Sequence, residues 1–411
     1  MLNKLSSGQK RILWVLSLIN LINYLDRQVV FPLFGHIKAE FGISDFQLGL
    51  LASVFMLVHS LASLPLGILA DRMSRKVIIA AGVGFWSVMS FATGLTSKFY
   101  QLLFVRGAVG VGEAAYAPAA TAMISDNVPE SYWSRAQGWF NAAMIVGGTL
   151  GAILGGLIAY YFNNWRLAFF IVSPAGLLLS WAAYRLKDVR ILQHDHKIKL
   201  LDLKSNKAFW WIIVSGIFAT FASGAYITWG VEFISRYKGM NLRDAGLVLG
   251  STLMFAGIIG VVLGSMVADY LHKKFAYGRS LTVALSLTLA APFMYLGITE
   301  ENRFLFIIYF FLGTVFFSVY HGPVTAVMHE VVPKNLRASA FALYVLIIHL
   351  IGDTLGPALV GKFSDSYGLL FALKWNSLTV LISGLSFFVI TRLLSKKAIL
   401  LQTDKEPEIV V

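Results

Sequence analysis

The chain has 411 residues, 57% of them hydrophobic and only 13% charged, and its mean hydropathy is +0.71. A soluble domain carries about 25% charged residues, so this composition excludes an ordinary soluble fold and identifies a membrane protein. The net charge of +13 would suit a nucleic-acid binder, but the placement of the basic residues gives it another origin, and the absence of cysteine excludes structural disulfides.

Apolar runs long enough for helices that cross a bilayer, about 20 residues or more, fall at 11–35, 45–70, 77–97, 99–125, 136–161, 166–185, 208–234, 244–269, 280–298, 304–329, 338–361 and 369–392. The short alternating strands of an outer-membrane barrel do not occur. The first run carries Asp26-Arg27 and no small-residue cleavage site follows, so it reads as a span and not as a signal peptide. With the N-terminus inside, these spans place most of the 34 Lys and Arg on one face, with Lys4, Lys10, Arg11, the loops after even-numbered spans and the C-terminal tail. This is the positive-inside pattern. It puts both termini in the cytoplasm and makes the excess charge topological.

The predicted architecture is all-α, with twelve transmembrane helices in two pseudo-symmetric six-helix bundles. The first bundle covers 1–185 and the second 208–394, joined by a polar cytoplasmic linker at 186–207 and followed by a cytoplasmic tail at 395–411. The linker holds His194-Asp195-His196, a cluster with metal-ligating side chains. On so polar a segment a solvated loop is expected, and neither a metal nor a cofactor is predicted.

Taken in order, span one carries Asn20, Asn23, Tyr24, Asp26 and Arg27. Asn23 and Arg27 are one turn apart and share a face, whereas Asp26 and Arg27 diverge by about 100° and need separate surroundings. Span two ends in Gly67-Ile-Leu-Ala-Asp71-Arg72-Met-Ser-Arg75-Lys76, and a degraded copy, Gly264-Ser-Met-Val-Ala-Asp269, ends span eight. Arg72, Arg75 and Lys76 anchor topology, and Asp71 is placed to pair with a cation of another span as a cytoplasmic gate. Span four reads Arg106-Gly-Ala-Val-Gly110-Val-Gly112-Glu113. Its two ionisable groups are about two turns apart and lie on one face, and its glycines admit a close neighbour. The economical arrangement has spans one and four facing each other, so that two acids and two arginines neutralise one another. Arg135 before span five is echoed by Arg337 before span eleven, and Gly147, Gly148, Gly151, Gly155 and Gly156 give span five a tight-packing face. The second half offers Tyr226, Trp229 and Glu232 on span seven, Tyr320 and His321 on span ten, and His349 with Asp353 one turn apart on span eleven.

Ionisable groups within a bilayer are costly and mark functional sites by default. A carboxylate beside an arginine stays ionised until the pair separates; stranded in a dry interior, a carboxylate favours its neutral form and takes a proton. Glu113 is the first expected proton site, Asp26 the second, and His349–Asp353 a further one, since His titrates near neutrality. Arg27 is the expected partner of a substrate anion; Arg106 is nearer the start of its span and is expected to be mainly structural. The bland alternatives are a static ion-pair lattice holding the first bundle together and a satisfied polar pair packing against span eight or ten. The nucleophile-elbow, phosphate-loop and zinc-protease motifs do not occur in the sequence, so no enzyme is expected.

The repeated Asp-turn and the Arg106–Gly112 stretch resemble the major facilitator superfamily, and within it the Spinster branch. The likeness runs through Ile19-Asn-Leu-Ile-Asn-Tyr24-Leu-Asp26-Arg27, Gly49-Leu-Leu-Ala-Ser-Val-Phe55, Arg106 to Glu113-Ala-Ala-Tyr116, Gly322-Pro-Val-Thr-Ala326, Arg337-Ala-Ser-Ala and Gly356-Pro357, nearly the whole chain. The anion:cation symporter branch shares some of these elements. The resemblance implies an acid–arginine pair at Asp26 and Arg27, a span-four acid at Glu113, and lysophospholipid or sphingosine-phosphate transport, proton-coupled in some members. Two departures stand out: Ile145-Val-Gly147-Gly replaces the Pro-x-Gly of eukaryotic relatives, and Asp353 stands where a small residue is expected.

The expected function is therefore proton-coupled alternating-access transport of an amphipathic anionic lipid, with Asn23, Tyr24, Tyr116, Tyr226, Trp229, Tyr320 and His321 joining Arg27 around the substrate. A small organic anion symporter or a drug or metabolite exporter is the alternative, and a ligand-binding receptor is a third class. The short chain, without long tails or lumenal domains, is expected to be a monomer in a bacterial inner membrane, with membrane lipids around it and no nucleic-acid partner.

Overall fold

A computed structural model describes residues 5–129, 132–187, 203–333 and 336–403. The linker, with His194, Asp195 and His196, lies outside these, as do the side chains of Asp71 and Arg72. Among the described residues every regular element is helical: α1 (Ser7–Val29), a 3₁₀ turn (Phe31–Leu33), α2 (Phe34–Phe41), α3 (Asp45–Arg72), α4 (Arg75–Thr93), α5 (Phe99–Asn127), α6 (Trp133–Phe162), α7 (Arg166–Tyr184), α8 (Lys207–Lys238), α9 (Leu242–Lys274), α10 (Gly278–Thr299), α11 (Arg303–Ser318), α12 (His321–Val331), α13 (Arg337–Ile347), a π turn (Ile348–Asp353), α14 (Thr354–Tyr367) and α15 (Leu369–Thr403). Lipid offers no hydrogen-bond partners to a backbone, which is why spanning segments of this length are helical.

Ten helices of the described residues are long and apolar enough to cross a membrane, counting α11–α12 and α13–α14 as one each. Helices α1 and α5 complete the twelve-span pattern. Both are interrupted by polar groups: Asn20, Asn23, Asp26 and Arg27 in α1, and Arg106 and Glu113 in α5. The helices that fall short on apolarity are those that carry the interior charges.

The first span is shorter than expected. Helix α1 stops at Val29, and Pro32, which lacks a backbone N–H, sits in the 3₁₀ turn that leads into α2. Gly42, at φ 63°, ends α2 in the left-handed region that costs glycine nothing. Helices α1 and α3 both start with complete capping boxes, Ser6 with Gln9 and Ser44 with Gln47, which satisfy amides the helix cannot. Spans ten and eleven are not continuous helices. The first breaks between Ser318 and His321, and the second passes through the π turn that contains His349 and Asp353. π turns inside α-helices recur at functional sites.

The residues pack into two compact units. One comprises Met1–Asp195, Ala225–Met254 and Thr354–Leu369; the other comprises His196–Gly224, Phe255–Asp353 and Leu370–Val411. Within the first unit, α6 lies against α1 through its glycines. A methyl group added at Gly151 would sit 2.5 Å from the Leu25 carbonyl oxygen and one at Gly155 2.5 Å from that of Val29, and one at Gly147 would overlap the carbonyl of Leu21. This is the backbone approach that small-residue faces permit in membranes. The glycines of α5 admit two neighbours. Gly110 meets the backbone of Phe55 and His59 on α3, and Gly112 meets Gly82 and Trp86 on α4. The close-approach face of α5 thus turns toward α3 and α4, and its charged groups turn toward α1.

Candidate functional site

The interior of the first bundle assembles the four groups that the sequence singles out. The Arg27 guanidinium donates from Nη2 to Glu113 Oε2 at 2.7 Å and from Nε to the same oxygen at 3.3 Å. Arg106 Nη1 lies 3.7 Å from Asp26 Oδ2, and Ser90 on α4 donates its hydroxyl to Asp26 Oδ1. Asp26 and Arg27 are adjacent on α1 and point to different partners, as their angular separation requires. Each finds the opposite charge on α5.

The four groups are not equally enclosed. The Glu113 and Asp26 side chains are fully buried and that of Arg106 is 2% exposed, whereas Arg27 keeps 15%. Arg27 is the accessible member, and its guanidinium sits 4.8 Å from the Tyr24 ring centre and 4.9 Å from that of Phe55. The Phe55 ring also lies 5.5 Å from the Arg106 guanidinium, so one aromatic ring contacts both cations. Such contacts are each worth about 0.5–2 kcal/mol. Glu113 Oε1, Asn23 Nδ2, and Nε and Nη1 of Arg106 are buried and make no protein hydrogen bond. Buried polar atoms left this way are rare and call for a functional account. Arg106 thus belongs to the same buried charge cluster as Asp26.

Other sequence candidates have different settings. Tyr116 is buried between Trp86 and Phe140 and donates its hydroxyl to the Leu16 carbonyl at 2.5 Å. Trp229 is fully buried; its Nε1–H donates to the Pro357 carbonyl at 3.0 Å and its ring packs on Phe34. Tyr226 is also buried. In the second unit Tyr320 and Tyr344 share a hydroxyl–hydroxyl hydrogen bond, and His321 stands edge-on to Tyr320. His349 Nδ1 and Asp353 Oδ2 are 2.5 Å apart. Asp353 meets α8: its Oδ1 would be 2.8 Å from a methyl at Gly224, and Thr220 of the same helix donates to the Ile348 carbonyl at 2.8 Å. Wider helical turns free carbonyls from the helix ladder, and a hydroxyl on α8 meets one of them.

The charged turns are also placed. Arg75 forms a buried ion pair with Asp126 at the end of α5, and Lys76 lies over the Tyr184 ring. Asp269 pairs with Arg279 at 2.8 Å, and Arg279 reaches Glu330 at 2.7 Å. Arg337 donates to the His329 carbonyl at 2.7 Å, near the end of α12, and Arg135 is exposed. Ser90, Phe55, Asp126, Arg279 and Glu330 were not picked out by sequence. Ser90 and Phe55 look like ordinary residues of apolar spans; the three charged groups sit at span ends, where charge reads as topology.

An all-helical bundle with ion pairs sealed inside its spans is the construction of a membrane transporter. The Major Facilitator Superfamily pattern matches residues 16–357. Over 373 residues the chain is 30% identical to protein spinster of Drosophila melanogaster, covering 86% of this chain and 61% of that protein. It is 30% identical to protein spinster homolog 1 of Xenopus tropicalis over 85% of this chain and 72% of the relative, and 27% identical to the sphingosine-1-phosphate transporter SPNS2 of the same frog over 85% and 73%. A crystal structure of a bacterial homologue of the human lysosomal transporter Spinster, inward-facing and occupied, superposes with a TM-score of 0.85 at 22% identity, over 94% of this chain and 97% of that one. The chain belongs to the major facilitator superfamily and, within it, to the Spinster-like transporters; it is an integral multi-pass membrane protein of a transporter family and not an enzyme.

Proposed function

We propose that this protein is a proton-coupled transporter of an amphipathic anionic lipid, a lysophospholipid or a sphingosine-phosphate-like molecule, working by alternating access. The observation that carries the reading is the unequal burial of the Arg27–Glu113 pair: the cation is partly accessible and the acid is sealed. A phosphate headgroup that reaches Arg27 competes for the guanidinium with Glu113. Phosphate takes arginine bidentately, and Glu113, left in a dry interior without its cation, is then neutralised by a proton. Anion binding and proton uptake are thereby linked through one guanidinium. Asp26, held by Ser90 and Arg106, serves as a second acid.

The lipid assignment is supported by the Spinster relatives, one of which is named a sphingosine-1-phosphate transporter. His349–Asp353 is a secondary proton element. The protein acts as a monomer in a bacterial inner membrane, needs no bound cofactor, and contacts membrane lipids and its substrate. The two six-helix bundles, 1–185 and 208–394, are the bodies that rock, joined by the linker at 186–207.

The test is uptake of a labelled lysophospholipid into proteoliposomes with and without an imposed pH gradient. Gradient-dependent uptake that disappears in Glu113→Gln supports the reading. No uptake by folded protein under either condition overturns the lipid assignment and turns the search to small organic anions.

A further inference from the structure

Helix α3 already has its own cap. Ser44 Oγ accepts from the Gln47 amide at 3.3 Å, and Gln47 Oε1 accepts from the Ser44 amide at 3.0 Å. Yet two more amides at its start are capped by a residue 320 positions away. Asp45 N–H donates to Asp365 Oδ1 at 2.7 Å, and Phe46 N–H donates to Asp365 Oδ2 at 2.9 Å. Asp365 lies near the end of α14, so a carboxylate of span eleven spans the first turn of span two. A helix N-terminus attracts negative charge, but this helix starts without Asp365. The contact therefore serves the docking of α14 on α3 more than the formation of α3.

Next to it the Asp45 carboxylate is buried and receives three side chains. Lys38 Nζ is 2.6 Å away, Arg236 Nη1 2.9 Å and Ser364 Oγ 2.5 Å. Arg236 also holds Glu232 at 2.7 Å. Lys38 comes from α2, Arg236 and Glu232 from α8, and Ser364 from α14. Below the charges the helices touch backbone to backbone: methyl groups at Gly49 and Gly361 would overlap the carbonyls of Pro357 and Asp45. All of this lies within one compact unit, on the face where α1 ends and α3 begins.

We propose that Asp365 and Asp45 form a two-part latch that locks α14 and α8 onto α3 at this face, and that its release opens the transporter there. Its meaning rests on the alternating-access reading, but the contact can be tested without any substrate. Both carboxylates have their full set of protein donors only while the helices are docked. Once docking is lost, Asp365 gives up two amide donors and Asp45 loses the Arg236 and Ser364 donors, while the Ser44–Gln47 cap keeps α3 intact. Asp45 keeps Lys38, which approaches from the neighbouring α2.

The chain has no cysteine, so one introduced thiol reports the docking. Ala358 is buried, and its Cα lies 2.9 Å from a methyl built at Gly49. In an Ala358→Cys background, labelling by a charged, membrane-impermeant thiol reagent measures how often α14 leaves α3. Asp365→Asn and Asp45→Asn should each raise the labelling rate about tenfold, the order expected when charge-assisted hydrogen bonds are lost. Ser364→Ala, which removes one hydroxyl and is the mildest change, should raise it about twofold to threefold. Glu40→Gln, whose carboxylate pairs with Arg166 of α7, should leave it unchanged. Rates within twofold of the parent in all three latch variants, each monodisperse in detergent, would overturn the latch. If the Asn variants do not fold, Ser364→Ala alone decides it. A raised labelling rate together with a failed lipid-uptake assay would keep the latch and discard the substrate.

Discussion

In the first bundle, α1 and α5 run unbroken and bring Asp26, Arg27, Arg106 and Glu113 together in the interior. In the second half the corresponding region is built from hydroxyls and rings, Tyr320 against Tyr344 and His321 beside them, and the helices that carry these groups are broken, at Tyr320 and at the π turn of His349 and Asp353. The contrast separates two ways of placing polar chemistry in a bilayer. Charges can sit on straight helices if opposite charges face them across a close-packed interface. In the second half the polar groups, the Tyr320–Tyr344 hydroxyls and the His349–Asp353 pair, sit instead at or near interruptions of the helices that carry them. At their terminus-side ends the halves agree instead. Arg75 at the start of α4 holds Asp126 at the end of α5, and Arg279 at the start of α10 holds Glu330 at the end of α12. These are equivalent positions in a six-helix repeat, so the duplication survives in ion pairs more clearly than in the Asp71 and Asp269 turns.

Removing the interior charge of the first bundle alone should have the largest effect. Glu113→Gln should abolish the pH-gradient stimulation of uptake completely while leaving ligand binding, measured by equilibrium binding in detergent, within about threefold of the parent. His349→Ala and Asp353→Asn should only shift the pH profile. If Glu113→Gln keeps full coupling and the second-half variants lose it, the proton site belongs to the broken helices. Arg27→Ala should weaken phosphate-bearing lipids at least tenfold more than neutral analogues of equal chain length, since the guanidinium is what distinguishes them. Equal losses for both would make the pair a structural strut.

The anchor pairs offer the next effect. Arg75 and Asp126 are nearly buried, at 7% and 6% side-chain exposure, whereas Arg279 keeps 27% and Glu330 23%. Breaking a buried pair strands a charge and costs about 3–5 kcal/mol; a partly solvated pair is worth about 1 kcal/mol or less. Arg75→Ala should therefore lower the unfolding midpoint in detergent far more than Arg279→Ala, although Arg279 touches two acids. Equal shifts would mean that the enclosure of Arg75 is relieved on substitution.

The α1–α6 contact comes after that. Gly147→Ala should cost about 1–3 kcal/mol, the range for overpacking a tight interface, because its methyl would overlap the Leu21 carbonyl. Gly138, with open space around it, is the control, and Gly138→Ala should be neutral or slightly stabilising, since it gains helix propensity. Thermal unfolding of both variants in the same detergent checks the difference.

How much of this was legible in the sequence follows from the same physics. Charges in the middle of an apolar run are conspicuous, because the bilayer makes each one expensive; Asp26, Arg27, Arg106 and Glu113 could be found, and their facing arrangement follows from the need to neutralise them. The glycine face of α6 was equally plain. Charges at span ends carry no such signal. Asp45, Arg236, Asp365, Asp126 and Glu330 look like ordinary solvated charges, and only the packing of distant helices shows the partner each one meets. Ser90 and Phe55 were invisible because a serine or a phenylalanine in a membrane helix is ordinary. The breaks at Tyr320 and in the π turn were missed for a different reason: hydropathy is blind to helix continuity, and the nearest prolines, Pro323 and Pro357, lie just beyond each break.

The smallest effect concerns an ion pair outside the spans. Glu40 on α2 accepts from Arg166 through both oxygens at 2.6 Å and from Trp165 Nε1 at 2.7 Å. Hydrogen bonds from Arg166, ahead of the opposing effect of burial, hold the Glu40 carboxyl below the usual range. A lowered folded-state pKa means that the stabilisation is fully present above the unfolded value near 4.5 and fades as pH falls through the folded value. The Glu40 side chain is 40% exposed, so solvent screening keeps the contribution within the range of about 0–1 kcal/mol for surface pairs. Glu40→Gln should thus lower the unfolding midpoint slightly at pH 7, and the parent and variant should converge as the pH falls through the folded value. A difference that persists in acid would show that the Trp165 hydrogen bond and ring packing, and not the charge, hold α2 against α7; a difference as large as that of Arg75→Ala would remove the distinction drawn above between buried and solvated pairs.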